Sequence, residues 1–216
     1  MRKHRQDIYC YPDTDVLINK LGLRSAKELE KAESALTFIR LAQIKCVAGV
    51  FDYDHLKRIH GFIFGDLYEW AGKERSSDIC KPERVLGGLS VTYTYPTEIA
   101  REARSTIAAL HETDWAALPL EKRAEGFSRV IAALWKTHPF REGNTRAIIT
   151  FACEFSDRYG FHMDRELFGE YADFTRKALV MASIGQYSEY EHIARIFSDS
   201  MERGEKTLDN NTGGSR

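Results

Sequence analysis

A chain of 216 residues suits a single domain. With 43% hydrophobic and 29% charged residues it can bury a core and is not a disordered polyelectrolyte. A formal net charge of −1 excludes a strongly basic domain built to hold nucleic acid, and no apolar run reaches the roughly 18 residues of a membrane-spanning helix. Cys10, Cys46, Cys80 and Cys153 are too scattered for a CxxC metal pair or a disulfide framework, so a reduced, cytoplasmic setting is expected. The basic start, Met1-Arg-Lys-His-Arg-Gln-Asp, is followed by no apolar signal core.

Helical spacing dominates and predicts an all-α fold. Ser25-Ala-Lys-Glu28 is a capping box opening a long helix, with Leu29, Ala32, Leu36 and Ile39 on one face. Leu56, Ile59 and Ile63 mark a shorter helix that ends near Asp66. The segment 76–95 breaks the period: Pro82 and Gly87-Gly88 precede the alternating Val91-Thr-Tyr-Thr-Tyr95, which reads as a β-hairpin. Such a hairpin is either a surface ornament or an exposed edge that a partner chain extends. Residues 97–111 form an amphipathic helix. Pro119 opens a helix to about Thr137 with Ala124, Phe127, Val130, Ile131 and Leu134 as its buried stripe. The next helix runs from Asn144 to Tyr159 and stops at Gly160. Asp164 caps another, and Ser188-Glu-Tyr-Glu191 is a second capping box before a last helix that faces Ile193, Ile196 and Phe197 inward. One domain over residues 1–203 is expected, followed by a flexible polar tail over 204–216.

The chemistry concentrates in His138-Pro-Phe-Arg-Glu-Gly-Asn-Thr-Arg146, between two predicted helices. Pro139 ends the first helix, because it lacks an amide proton and disfavours helical geometry at His138. The chain then enters the next helix near Asn144. A loop feeding a helix N-terminus offers free amides and a positive dipole end, which favour a phosphate. Glu142 supplies a carboxylate for Mg²⁺, and Arg146 can reach a phosphate with two parallel donors. His138, with an ordinary pKa of about 6.5, suits a general base. Phe140 is an apolar residue in a polar loop and reads as its anchor to the core. Each residue alone has an ordinary structural explanation. Their order at one helix junction does not.

This segment resembles the signature of the Fic family, His-Pro-Phe-x-(Asp/Glu)-Gly-Asn-x-Arg, at every fixed position. Leu56-Lys-Arg-Ile-His60 through Asp66-Leu-Tyr-Glu-Trp-Ala-Gly72, Arg75-Ser-Ser-Asp-Ile-Cys-Lys81, and Tyr9-Cys-Tyr-Pro12 with Leu21-Gly-Leu23 are similar to other family segments, so the resemblance spans roughly residues 9–200. It implies the Fic fold, a helical core with a β-hairpin flap. It implies a protein adenylyltransferase that moves AMP from ATP to a Ser, Thr or Tyr hydroxyl of a target protein. His138 would take the hydroxyl proton, Glu142 would hold Mg²⁺, Gly143, Asn144, Thr145 and the following amides would cradle phosphate, and Arg146 would neutralise the leaving diphosphate. Ser76, Asp78, Ile79 and Lys81 of the flap would dock the target, Lys81 otherwise reading as a solvated lysine.

Two departures stand out. Many members carry a second Arg where this chain has Ile149, and Gly where it has Thr145; Doc-type relatives have Lys at the latter position. The alternatives are therefore a Fic-type phosphotransferase or other nucleotide transferase, and an inactive nucleotide-binding interaction module. The inhibitory pattern (Ser/Thr)-x-x-x-Glu-(Gly/Asn) is incomplete at Thr94…Glu98, Thr150…Glu154 and Ser198…Glu202. That implies a toxin restrained by a separate small antitoxin, with a type II topoisomerase as the class of target. Elsewhere, His60 and His192 read as core or boundary histidines, Trp70 as an anchor under the flap, and Tyr93 and Tyr95 either as packed strand residues or as target-facing or self-modified tyrosines.

Overall fold

A computed structural model describes residues 7–212, with side chains described to Thr207. Ser25 caps α1 (Ala26–Ala42) as its spacing predicts, its hydroxyl accepting the Glu28 N–H at 3.4 Å. Leu29 is buried and Ala32 and Leu36 lean on the core. Ile39, expected inside, is exposed, and Thr37 takes the inward position. The reason is local: this part of α1 faces a polar site, and the Thr37 hydroxyl accepts from Arg146 at 3.1 Å.

α2 (Tyr53–Phe64) starts at Asp52, whose carboxylate accepts the His55 N–H, and buries Leu56, Ile59 and Ile63 completely. After it come α3 (Ile99–His111), α4 (Leu120–Thr137) and α5 (Asn144–Arg158). α4 is the central post and packs on α3, α5 and α8. Its stripe of Ala124, Phe127, Ile131 and Leu134 is buried, while Val130 is half-buried. α6 (Arg165–Glu170) opens with the Asp164 carboxylate on the Glu166 N–H, and α7 (Ala172–Met181) follows directly. α8 (Glu191–Thr212) begins after a 3₁₀ turn at Gly185–Tyr187 rather than at the Ser188 box. It buries Ile193, Ile196 and Phe197 as expected. It also continues past residue 204, where a flexible tail was expected; residues 213–216 lie outside the described ones.

The predicted β-hairpin is the main difference. Among the described residues the segment 76–95 forms no strands. It still doubles back through a 3₁₀ turn at Arg84–Leu86, and Glu83 N–H donates to Leu89 O at 2.9 Å. Glu83 O also accepts the Gly88 N–H at 2.9 Å, but farther from the turn, side chains take backbone groups a ladder would use. The Ser90 hydroxyl accepts the Lys81 N–H, and the Arg75 guanidinium donates to the carbonyls of Ser77 and Thr94. The alternation of Val91 and Tyr93 is real, but it serves burial against the core, at 3% and 8% exposure, and not sheet formation. Tyr95 is exposed.

Candidate active site

α4 ends in a left-handed residue, His138, at φ 46°. That geometry is uncommon for a residue with a side chain, and several bonds hold it. His138 N–H donates to Trp135 O at 3.0 Å, while buried Arg75 donates from Nε to His138 O and from its backbone N–H to Pro139 O, both at 2.8 Å. The loop is then closed by Asn144. Its side chain accepts the Phe140 N–H at 2.9 Å and donates to Phe140 O at 2.7 Å. The Asn144 side chain is therefore committed to the loop. Gly143, at φ 78°, is the residue before α5; a Cβ there would lie 2.3 Å from the Phe64 ring. Both the backbone angle and the space demand glycine.

Phe140 is fully buried and stacks on His60 with ring centroids 3.8 Å apart. His60 is a satisfied core histidine, as read from the sequence, but it also supports the loop. Its Nδ1 accepts the Gly72 N–H at 2.9 Å, so Nε2 carries the proton and donates to Glu142 O at 3.0 Å. Burial lowers the His60 pKa to about 4. Below pH 6.5 the unfolded chain takes up a proton that the folded chain refuses. Stability is then lost progressively as pH falls from about 6.5 to about 4, by ~3 kcal/mol in total from this residue. Urea unfolding across that range checks it; a His60→Gln variant with an equally steep acid decline would refute the assignment. His192, by contrast, is exposed on α8, its ring edge-on to Phe174.

Glu142 keeps its carboxylate ionised. Burial would raise its pKa, but the Lys81 charge and hydrogen bond, the Gly143 N–H and the Arg141 charge outweigh that and hold it below its ordinary value. Lys81 is thus not a solvated lysine: its Nζ lies 2.8 Å from Glu142 Oε2 with the side chain largely covered. Thr145 accepts the Trp135 Nε1–H at 2.9 Å, so its hydroxyl braces α4 against α5. Arg146 donates to Thr37 at 3.1 Å and to Glu33 at 3.4 Å, and Glu33 also accepts the Tyr68 hydroxyl at 2.6 Å.

His138 is 1% exposed and neither ring nitrogen has a partner. Burial, then the charges of Lys81, Arg75 and Arg176, hold the imidazole well below its ordinary value, so it is neutral at physiological pH. The Tyr93 ring lies 4.0 Å from it and the Trp135 ring 5.1 Å. His138, Glu142, Gly143, Asn144, Thr145 and Arg146 all line one cavity of about 420 Å³ between α5, α6 and α7, a size that suits a small ligand. Ser76, Asp78, Ile79 and Lys81 line a second cleft of about 1210 Å³ on the flap side, and the two share Glu142 and Arg176. Ser76 and Asp78 are exposed, and Ile79 is half-buried. Ser198 and Glu202 sit on α8 outside both.

Three arginines escaped sequence reasoning as site residues. Arg75 ties the flap base to His138. Arg176, from α7, pairs with Glu83 of the flap, and Arg165, from α6, lines the cavity wall. Nothing in the spacing marks them, because each reaches the site across the fold.

A profile of the Fic/DOC family matches residues 50–156. Protein adenylyltransferase VbhT of Bartonella schoenbuchensis is 34% identical over 192 residues, covering 87% of this chain and 37% of that protein, so this chain spans little more than a third of VbhT. The probable protein adenylyltransferase y4lH of Sinorhizobium fredii is 34% identical over 161 residues, covering 74% of this chain and 80% of that one. Among solved structures, the N-terminal Fic domain of a VirB-translocated Bep effector protein from Bartonella quintana superposes with a TM-score of 0.75 at 25% identity, covering 96% and 97% of the two chains. BepC from Bartonella tribocorum, solved with bound AMPPNP, gives 0.72 at 22% identity over 91% and 97%. In sequence and in fold, this chain belongs to the Fic/DOC family.

Proposed function

We propose that the chain is a protein adenylyltransferase that moves AMP from ATP to a hydroxyl side chain of another protein. The observation that carries this reading is His138. A neutral imidazole with two unpartnered nitrogens faces the cavity that holds the α5 N-terminus. The names of the relatives support the same activity, and AMPPNP bound to BepC, a structure of the same fold, is consistent with a nucleotide substrate.

In this reading the amides after Gly143 and the α5 dipole bind phosphate oxygens, and Arg146 adds a fixed positive charge. A target segment lies along the flap-side cleft beside Ser76, Asp78, Ile79 and Lys81. The target hydroxyl oxygen bonds to the α-phosphorus as the bond to the bridging oxygen breaks. His138 takes the hydroxyl proton, and diphosphate leaves with the bond electrons. Positioning and electrostatics supply the rate. Glu142 fits a Mg²⁺ ligand: it is an ionised carboxylate at the mouth of the phosphate site, already holding the Lys81 ammonium. The ion would supply neutralisation of phosphate charge. Restraint by a separate small protein belongs to the same reading, since Ser198 and Glu202 lie away from the cavity.

The test is incubation with a cell lysate, Mg²⁺ and ATP labelled at the α-phosphate or, separately, at the γ-phosphate. Label on protein from the α position alone is expected. Label from γ alone would replace adenylyl transfer with phosphate transfer, and no label from either would sink both.

A further inference from the structure

Ile149 lies five residues into α5 from Asn144, ~7.5 Å along the helix axis at about 1.5 Å per residue. Its apolar side chain forms part of the cavity wall. The influence of the α5 dipole is confined to the first turn, so an anion at this depth needs a cation of its own. Arg146 is turned to Glu33 and Thr37, and Arg176 is paired with Glu83.

Arg165 is placed differently. It lines the same cavity from the start of α6, and its Nη2 donates to Glu154 of α5, which pins the guanidinium against that helix. Its Nε is buried without a partner. Beside it is the Cys153 thiol, which burial pushes up to about 12 although the Arg165 charge pulls the other way. A neutral thiol is a weak acceptor. A guanidinium carries five N–H donors in a flat fork that matches phosphate oxygens, and Glu154 takes only one edge of the Arg165 fork. A part-exposed guanidinium on a cavity wall, held at one edge by Glu154, can offer its remaining Nη donors to an acceptor that the protein does not itself provide.

We infer that Arg165 binds the terminal phosphate of the nucleoside triphosphate, at the part of the cavity that Ile149 leaves without a cation. This rests on the adenylyl-transfer reading and deepens it. Arg165 would hold the leaving diphosphate while the α5 N-terminus holds the reacting phosphate, and it would make the site prefer a triphosphate over shorter nucleotides.

Titration calorimetry of the full chain with ATP, ADP and AMP tests it, using native protein, Arg165→Met, Arg165→Lys and Glu154→Gln. A charge-assisted contact to phosphate corresponds to about a ten- to hundredfold loss of ATP affinity in Arg165→Met, with AMP affinity changed less than about twofold. Arg165→Lys keeps the charge but loses the fork, so its ATP-over-AMP preference is expected between those of native and Arg165→Met. It carries the test alone, as a drop from native, if Arg165→Met does not fold. Glu154→Gln is expected to keep the preference for ATP. Unchanged ATP affinity in Arg165→Met overturns the proposal, as does equal weakening of all three nucleotides there and in Glu154→Gln, which marks a packing role. A native chain that binds none of the three overturns the adenylyl-transfer reading and this proposal together.

Discussion

Replacing His138 with alanine is expected to lower label transfer from α-labelled ATP by about 10²–10⁴-fold, the range in which a positioned general base contributes. The variant should still bind ATP, because the α5 amides and the arginines remain. The pH dependence is the sharper part of the prediction. The base must be neutral to work, and burial with three nearby cations keeps its pKa well below 6.5 in the free protein. Activity is lost only as pH falls through that lowered value, so kcat/KM should stay level through pH 6.5. A bound polyphosphate adds negative charge beside the imidazole and offsets Lys81, Arg75 and Arg176. The acid limb of kcat should therefore lie at higher pH than that of kcat/KM. A full-rate His138→Ala enzyme, or a kcat/KM limb centred near 6.5, would remove His138 from the role.

Arg75→Ala is expected to be the most damaging substitution outside the signature segment. The guanidinium is 2% exposed and serves three carbonyls, those of His138, Ser77 and Thr94. Removing it leaves buried acceptors unsatisfied, at roughly 1–3 kcal/mol each before water enters. A net loss of about 4 kcal/mol is expected, a fall in Tm of roughly 8–16 °C for a domain of this size. Arg75→Lys should recover little, since a single ammonium cannot serve three separated acceptors. The same contact fixes the left-handed His138, so transfer should fall even at temperatures where the variant is folded. A melting shift under 2 °C would show that these bonds are not what holds the junction.

What could be read from the sequence, and what could not, divides along the distance over which each contact acts. Ser25 caps α1 and Asp164 caps α6 because capping needs only two or three neighbouring residues. The loop from His138 to Arg146 sits at a helix junction because Pro139 and Gly143 act on their own backbone. Ile39 failed because α1 turns toward a polar site, and periodicity alone cannot distinguish an apolar neighbour from Arg146. The hairpin failed for a related reason. The strand-like alternation of Val91 and Tyr93 was legible, but the donors that Arg75 places on the flanking carbonyls were not. Lys81 read as a solvated lysine because its partner, Glu142, is 61 residues away. Arg165 and Arg176 of the cavity wall, and Arg75 beneath His138, are brought in by tertiary packing of α6, α7 and the flap segment, and single arginines at unremarkable spacings leave no local trace.

The seal over His138 bears on how sparingly such an enzyme would use its nucleotide. With Tyr93 on one side and Trp135 on another, the imidazole is closed to bulk solvent, and a water molecule is as good a proton donor to it as any side-chain hydroxyl. A base shielded in this way would activate little water, which would limit futile hydrolysis of a bound nucleotide. A docked polypeptide can hold its hydroxyl at the imidazole far longer than a freely diffusing water or small alcohol, so such a site would tie nucleotide turnover to the presence of a protein target.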